Sequence, residues 1–268
     1  MPRANRYLLP GYVWHITHRC HKREFLLKFS KDRQNWKKWL FEAKKRYGLQ
    51  ILNYTITSNH IHLLVFNEEN TEAIAQSIQL AAGRTAQAFN QRKKRRGAFW
   101  EDRYHATVVD TDTYLLRCML YIDLNMVRAG VVDHPRDWPF TGFHEIVSPP
   151  ERYRLVDLGK LLELFGGTDE TTLALDYSSW IDEAIGYKAK RNSDWSESIA
   201  VGSRAFVESV EEQLGSKATG RSIIDRGING SVLREETDPY NPHFEAEKGS
   251  LSPKKGCFWN TSNVKSDS

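Results

Sequence analysis

The chain has 268 residues, with 38 lysines and arginines against 34 aspartates and glutamates, a formal net charge of +4. That length suits one large domain or two small ones, and 8 Trp, 11 Tyr and 12 Phe can fill a core. No apolar run approaches a membrane span and no secretory apolar stretch opens the chain, so a soluble, cytoplasmic protein without a membrane partner is expected. Cys20, Cys118 and Cys257 lie far apart with no CxxC pair, which argues against a structural zinc site or a disulfide framework.

In chain order, residues 12–19 read as a strand. Residues 31–47 read as a helix, with Trp36, Trp39, Leu40 and Ala43 at helical spacing and Gly48 to end it. Residues 49–57 and 60–66 read as two strands joined by Ser58-Asn59. A second helix follows over 71–91, carrying Ile74, Ile78, Ala81, Ala82, Ala86 and Phe89, and a fourth strand over 106–109. Then Leu116, Met119, Leu120, Asp123 and Val127 repeat at roughly helical spacing up to Gly130, with Asp110, Thr111 or Asp112 as candidate start. The order β-α-β-β-α-β predicts an α+β, ferredoxin-like (RRM-like) antiparallel sheet under two helices, with one sheet face open. The last helix can lie across that face. Past Pro149-Pro150 the stretches 155–165, 173–186 and 203–214 read as helices. The chain is therefore expected to divide into a unit over 1–148, a helical extension over 149–214 and a flexible tail over 215–268.

Candidate chemistry centres on His60 and His62 in Ser58-Asn59-His60-Ile61-His62-Leu63-Leu64-Val65. Alternate side chains of a strand share a face, so both imidazoles point one way and Ile61, Leu63 and Val65 the other, toward the core. Two neutral imidazoles make half of a divalent-metal site; an exposed face that merely carries histidines fits the triplet as well. Tyr121 and Asn125 stand one helical turn apart. They suit a nucleophile beside a metal ligand, or equally a packed ring beside a hydrogen-bonding amide. Arg92-Lys93-Lys94-Arg95-Arg96 is a dense basic run, a solvated loop or a phosphate contact. It abuts Arg103 and also Phe99, Trp100 and Tyr104, whose rings can stack on unpaired bases; Trp100 suits a core position equally. His15, His18, Cys20 and His21 match no tetrahedral zinc spacing and read as a surface-facing strand end.

Four segments together resemble the REP-associated tyrosine transposases, of the single-tyrosine HUH transposase superfamily. They are Pro10-Gly11-Tyr12-Val13-Trp14-His15-Ile16-Thr17-His18-Arg19, the His60-Ile61-His62 strand, Gly97-Ala98-Phe99-Trp100-Glu101-Asp102-Arg103-Tyr104, and Tyr121-Ile122-Asp123-Leu124-Asn125-Met126-Val127-Arg128-Ala129-Gly130. They occur in the family's order across the first half of the chain. One departure is Met126, where the family usually has proline; without proline's fixed backbone the helix can run on by a turn. Val201-Gly202-Ser203-Arg204-Ala205-Phe206-Val207 is similar to a stretch of longer members.

The resemblance implies a transposase that cleaves and rejoins single-stranded DNA at hairpins. His60, His62 and Asn125 are the implied ligands of Mg²⁺ or Mn²⁺. Tyr121 is the implied nucleophile, giving a 5′-phosphotyrosine. Arg92, Lys93, Lys94, Arg95, Arg96, Trp100 and Arg103 are the expected nucleic-acid contacts, and the protein a monomer or homodimer, with the tyrosine helix acting in cis or in trans. A non-catalytic single-stranded nucleic-acid-binding module and a metal-dependent nuclease that uses water are the alternatives. Neither accounts for His60, His62, Tyr121 and Asn125 together.

Overall fold

Strand β1 (Tyr12–Arg19) is followed by α1 (Ser30–Tyr47), β2 (Gln50–Ile56), β3 (His60–Asn67), α2 (Thr71–Arg92) and β4 (His105–Val109) in the computed structural model. This model describes residues 8–111, 113–167, 169–187 and 192–235. The candidate start at Asp112, Cys257 and the part of the expected tail beyond Glu235 lie outside the described residues.

The chain order of these six elements is the expected one. The strands run β2-β3-β1-β4 across the sheet, each pair antiparallel. Local chemistry accounts for the boundaries. Gly48 ends α1 in the left-handed conformation at φ 69°, which glycine adopts without a Cβ penalty. Asn70 caps α2 by accepting the Glu72 amide at 3.1 Å. Strand parity then sorts the side chains. Ile61, Leu63 and Val65 are fully buried on the face toward α1 and α2, with Trp14, Ile16 and Trp36.

The opposite face is set by register. Thr17 pairs with His62 and with His105, and Arg19 pairs with His60. Directly paired residues share a face, so His15, Thr17, Arg19, His60, His62, His105 and Thr107 all point the same way. Helix α3 (Thr113–Asp123) lies on this side, where Asn53 of β2 donates to the Met119 carbonyl at 3.4 Å. Leu124 breaks the helix at ψ 4°, and a separate turn, α4 (Asn125–Arg128), follows. The run-on expected from Met126 therefore exists, but behind a kink, with Met126 itself buried. Asp123 sits at this kink. It accepts from Asn53 Nδ2 at 2.9 Å and from the hydroxyls of Thr141 and Tyr177, which ties the helix end to three other parts of the fold.

Downstream come α5 (Phe143–Val147), α6 (Leu158–Phe165), α7 (Glu170–Gly186), α8 (Asp194–Glu197), β5 (Ala200–Gly202), α9 (Arg204–Leu214), β6 (Arg221–Asp225) and β7 (Ser231–Glu235). The helices expected over 155–165, 173–186 and 203–214 are present as α6, α7 and α9, but residues 221–235, expected within a flexible tail, form strands β6 and β7. β5 pairs parallel with β4, β7 pairs with β5, and β6 is the outer strand, giving one seven-stranded sheet in the order β2-β3-β1-β4-β5-β7-β6. The described chain up to Glu235 is one compact unit, with no break near residue 148. Val201-Gly202-Ser203 makes the join. A Cβ on Gly202 would stand 2.5 Å from the Asp110 Cβ. Glycine there lets the Asp110 carboxylate accept from the Ser203 amide at 2.9 Å and its hydroxyl at 2.8 Å, while Ser203 caps α9.

Candidate active site

The histidine face of the sheet and the α3–α4 kink enclose a cavity of about 480 Å³ lined by His60, His62, Tyr121, Asn125, Arg103 and Arg128 among others. The four residues singled out as catalytic or metal-ligating thus meet in one place. The Tyr121 and His62 ring centroids are 5.7 Å apart and nearly perpendicular. His60 and His62 are 4.8 Å apart by the same measure. Asn125 Nδ2 lies 2.9 Å from His62 Nε2, a contact made possible because the kink at Leu124 turns Asn125 inward at the start of α4.

The donor nitrogen of each histidine follows from its partners. His15 Nδ1 lies 2.7 Å from the Trp195 carbonyl, which can only accept. His15 is fully buried, and burial pushes its pKa down to about 3, so it is neutral and carries its one proton on Nδ1. Its Nε2 is then an acceptor, and His62 Nδ1 donates to it at 2.9 Å. His62 is held well below its ordinary value, first by burial and then by His60, His15, Arg128 and Arg19, and is neutral too. Its Nε2 is therefore unprotonated where it meets Asn125. His60 reaches the same tautomer by another route. Its Nδ1 lies 2.7 Å from Asn59 Oδ1 and 2.9 Å from Thr57 Oγ1, whose own proton goes to the His60 carbonyl. Nδ1 is thus the donor, and in the neutral ring Nε2 bears the lone pair. A carbonyl or carboxylate fixing the far nitrogen is how proteins prepare imidazole ligands.

Positive charge surrounds this centre. Arg19, Arg23, Arg103 and Arg128 line the cavity, opposed by Glu101, Asp102 and Glu197. Arg128 holds the tyrosine: its guanidinium lies 4.4 Å from the Tyr121 ring centroid and donates to the Tyr121 carbonyl. Burial also lowers the pKa of His105, on the same face. Among the described residues no three His, Cys, Asp or Glu side chains converge as a metal cluster.

The remaining expected contacts fare differently. Arg103 reaches the cavity. The run 92–96 does not line it; Arg92 pairs with Asp32 and Arg95 donates to Ala98 O at 3.0 Å, while Lys93, Lys94 and Arg96 are exposed. The base-stacking reading of Phe99 and Tyr104 is corrected, because both are buried. Trp100 is packed inward, its Nε1 donating to Ala82 O at 3.0 Å and its ring stacked on His18 at 4.1 Å. The surface reading of the first-strand cluster is corrected as well: His15, His18 and Cys20 are buried, and His15 is part of the site. Sequence reasoning missed His15, Arg128 and the Trp195 carbonyl. Strand parity and the Thr17–His62 register are the signal that would have found His15.

Residues 10–125 match the family described as "Transposase IS200 like". A protein of Haemophilus influenzae, provisionally named a REP-associated tyrosine transposase, is 27% identical over 113 residues, covering 39% of this chain. The chain spans 64% of that relative's length. A solved REP-associated tyrosine transposase bound to a REP hairpin superposes with a TM-score of 0.46 at 21% identity, over 55% of this chain and 86% of its own. A solved protein of Deinococcus radiodurans, provisionally named a transposase, gives 0.31 at 16% identity, over 41% and 87%. The resemblance read from the four motifs and the family match cover the same part of the chain. No helix among the described residues is long and apolar enough to cross a membrane.

Proposed function

From a chain whose residues 10–125 match the IS200-like transposases, we propose a transposase that cleaves and rejoins single-stranded DNA at hairpins through a covalent bond to Tyr121. The observation that carries this reading is the meeting of a tyrosine, two histidines of fixed tautomer and an inward amide in one arginine-lined cavity.

His60 Nε2, His62 Nε2 and Asn125 would hold a divalent cation, Asn125 through Oδ1, since the two ends of a carboxamide exchange places by a half-turn. The donors fit: both imidazoles are oriented by hydrogen bonds at Nδ1, His62 is held neutral, and the amide already stands 2.9 Å from it. Two nitrogens and one oxygen suit Mn²⁺ better than Mg²⁺, which prefers oxygen. Such an ion, when bound, would polarise a phosphodiester oxygen and orient the phosphate.

The chain's own groups do the rest. Arg19, Arg23 and Arg103 attract and seat the phosphate, and arginine's planar fork matches phosphate oxygens. Arg128 fixes the tyrosine ring in the cavity. The Tyr121 hydroxyl oxygen attacks phosphorus in line. The phosphorus–tyrosyl bond forms as the bond to the 3′ oxygen breaks, the phenol gives up its proton, and the departing oxygen takes one to become a 3′-hydroxyl. A phenol ionises near about pH 10, so the step needs a site that stabilises the phenolate. The phosphodiester's energy is kept in the phosphotyrosine, so a second 3′-hydroxyl can reverse the step and join strands. That favours strand transfer over net hydrolysis.

The test is incubation of hairpin-bearing labelled single strands with the protein and Mn²⁺, resolved on a denaturing gel. Label should migrate with the wild-type protein and vanish with Tyr121→Phe, while DNA binding persists. Cleaved DNA with no labelled protein would reject the reading in favour of a water-using nuclease.

A further inference from the structure

Burial of Phe99 and Tyr104 leaves base stacking without its expected rings, yet two other aromatic side chains stand in solvent on the segment that follows Arg23. Phe25 is 66% exposed and Phe29 is 53% exposed, while Leu26 and Leu27 between them are buried. The segment is firmly tied. Leu27 N donates to Ser58 O at 2.9 Å, and Arg33 Nη1 donates to the carbonyls of Leu27 and Lys28, each at 2.7 Å. Asn59 Nδ2 donates to Arg23 O at 3.2 Å. A backbone held this way keeps both rings outward and gives the core positions to the leucines.

The place of this segment is equally telling. Ser58 and Asn59 form the turn that leads into His60, and Arg23 and Asn59 also line the cavity. The segment that carries the two exposed rings thus starts, at Arg23, from the cavity wall. Cations surround them. Lys22, Arg23 and Lys28 are exposed in the same segment, the Lys93 ammonium stands 5.3 Å from the Phe29 ring centroid, and Lys94 and Arg96 are exposed just beyond. Glu24 is the one exposed carboxylate within residues 20–31. A surface of this charge repels a second copy of itself and suits a polyanion.

We propose that Phe25 and Phe29 form a stacking platform for the unpaired nucleotides that flank a hairpin, with Lys22, Lys28, Lys93 and Lys94 on the adjoining phosphates. The proposal rests on the DNA-transposase reading and adds where the single strand runs on its way to Tyr121. Aromatic rings between cations are the general solution for holding unpaired bases without reading their sequence.

Fluorescence anisotropy with a hairpin oligonucleotide, with and without unpaired thymidine flanks, tests it. The double variant F25A/F29A should bind the flanked hairpin roughly tenfold more weakly or worse, with little change for the unflanked hairpin. The slope of log affinity against log salt should stay the same, because no cation is removed. F25W/F29W should retain affinity and F25L/F29L should not, which separates stacking from simple apolar contact. Labelling of Tyr121 at saturating DNA should persist in all three. Unchanged affinity in F25A/F29A, with wild-type protein labelled normally, would overturn the platform and leave the transesterase standing. Loss of self-association without loss of DNA affinity would overturn it too, assigning the rings to a second copy. Wild-type protein that neither binds nor is labelled by any hairpin would overturn both.

Discussion

The two halves of the seven-stranded sheet contribute different things to one cavity. Strands β1 to β4 with the α3–α4 kink supply the side chains to which the proposed chemistry falls: His60, His62, Tyr121 and Asn125. The later half supplies little that reacts. It contributes the Trp195 carbonyl, which fixes the proton of His15 and through it the lone pair of His62, and places Ser196 and Glu197 at the cavity edge. The family match ends at residue 125. The lesson is that a site whose side chains lie in one segment can owe its protonation state to another.

Removing the two histidines of the first half should have the larger effect. The double substitution of His60 and His62 by alanine should abolish Mn²⁺ binding by calorimetry and cut adduct formation by roughly a hundredfold or more, the scale on which a metal stabilises developing charge. Unchanged metal affinity would remove the ion from these residues.

Breaking the second half's contribution should cost less. His15→Leu leaves the His62 Nδ1 proton without its acceptor and should weaken Mn²⁺ binding by about 10- to 100-fold, the usual effect of losing such a partner. His15→Gln should recover much of this. A carboxamide can donate to the Trp195 carbonyl and accept from His62 with the same polarity as the imidazole. Equal loss in both variants would show that His15 merely fills space.

The same contact predicts how acid acts on the metal-free protein. An unfolded histidine takes a proton near about pH 6.5, whereas folded His15 does so only near about 3. Between those values the unfolded chain binds more protons, so stability falls as pH drops, by about 1.4 kcal/mol per unit for this one residue. His62 and His105 are displaced in the same direction. Urea midpoints at about pH 7 and about pH 5.5 should show the loss, smaller in His15→Gln; identical midpoints would contradict the neutral, buried assignment.

The smallest effect concerns the basic run. Arg92 and Arg95 are engaged within the protein, so replacing Lys93, Lys94 and Arg96 by glutamine should remove the run's phosphate contacts. Each lost contact should flatten the salt dependence of single-strand binding by about 0.7 in slope. An unchanged slope would mark the run as a solvated loop.

Legibility in the sequence follows the range of the forces involved. The strand at 12–19, the Gly48 cap, the histidine strand and the two long helices are set by alternation, helical spacing and capping within a few residues, and their positions were readable. The tyrosine helix was readable up to Leu124, but its kink depends on Asp123 being gripped by Asn53, Thr141 and Tyr177 from distant segments. β5 is three residues long, and β6 is a half-exposed outer strand in a polar, glycine-bearing stretch. Neither has a pattern of its own: β5 pairs in parallel with the edge of β4, and β6 pairs with β7. At the site, His60 and His62 were conspicuous, and Tyr121 and Asn125 became so through the family resemblance. His15 looked like one histidine of a surface cluster, because only the pairing of β1 with β3 puts it beside His62. The buried rings of Phe99 and Tyr104 show the limit of composition: an aromatic next to a basic run says nothing of which way it faces.

The most direct test of the central claim is peptide mapping of the trapped protein–DNA species by mass spectrometry. After digestion of both protein and DNA, a nucleotide should be attached at the Tyr121 side chain, and the yield should depend on Mn²⁺ or Mg²⁺. Attachment at a different tyrosine, or cleavage with no modified peptide at all, would contradict the account.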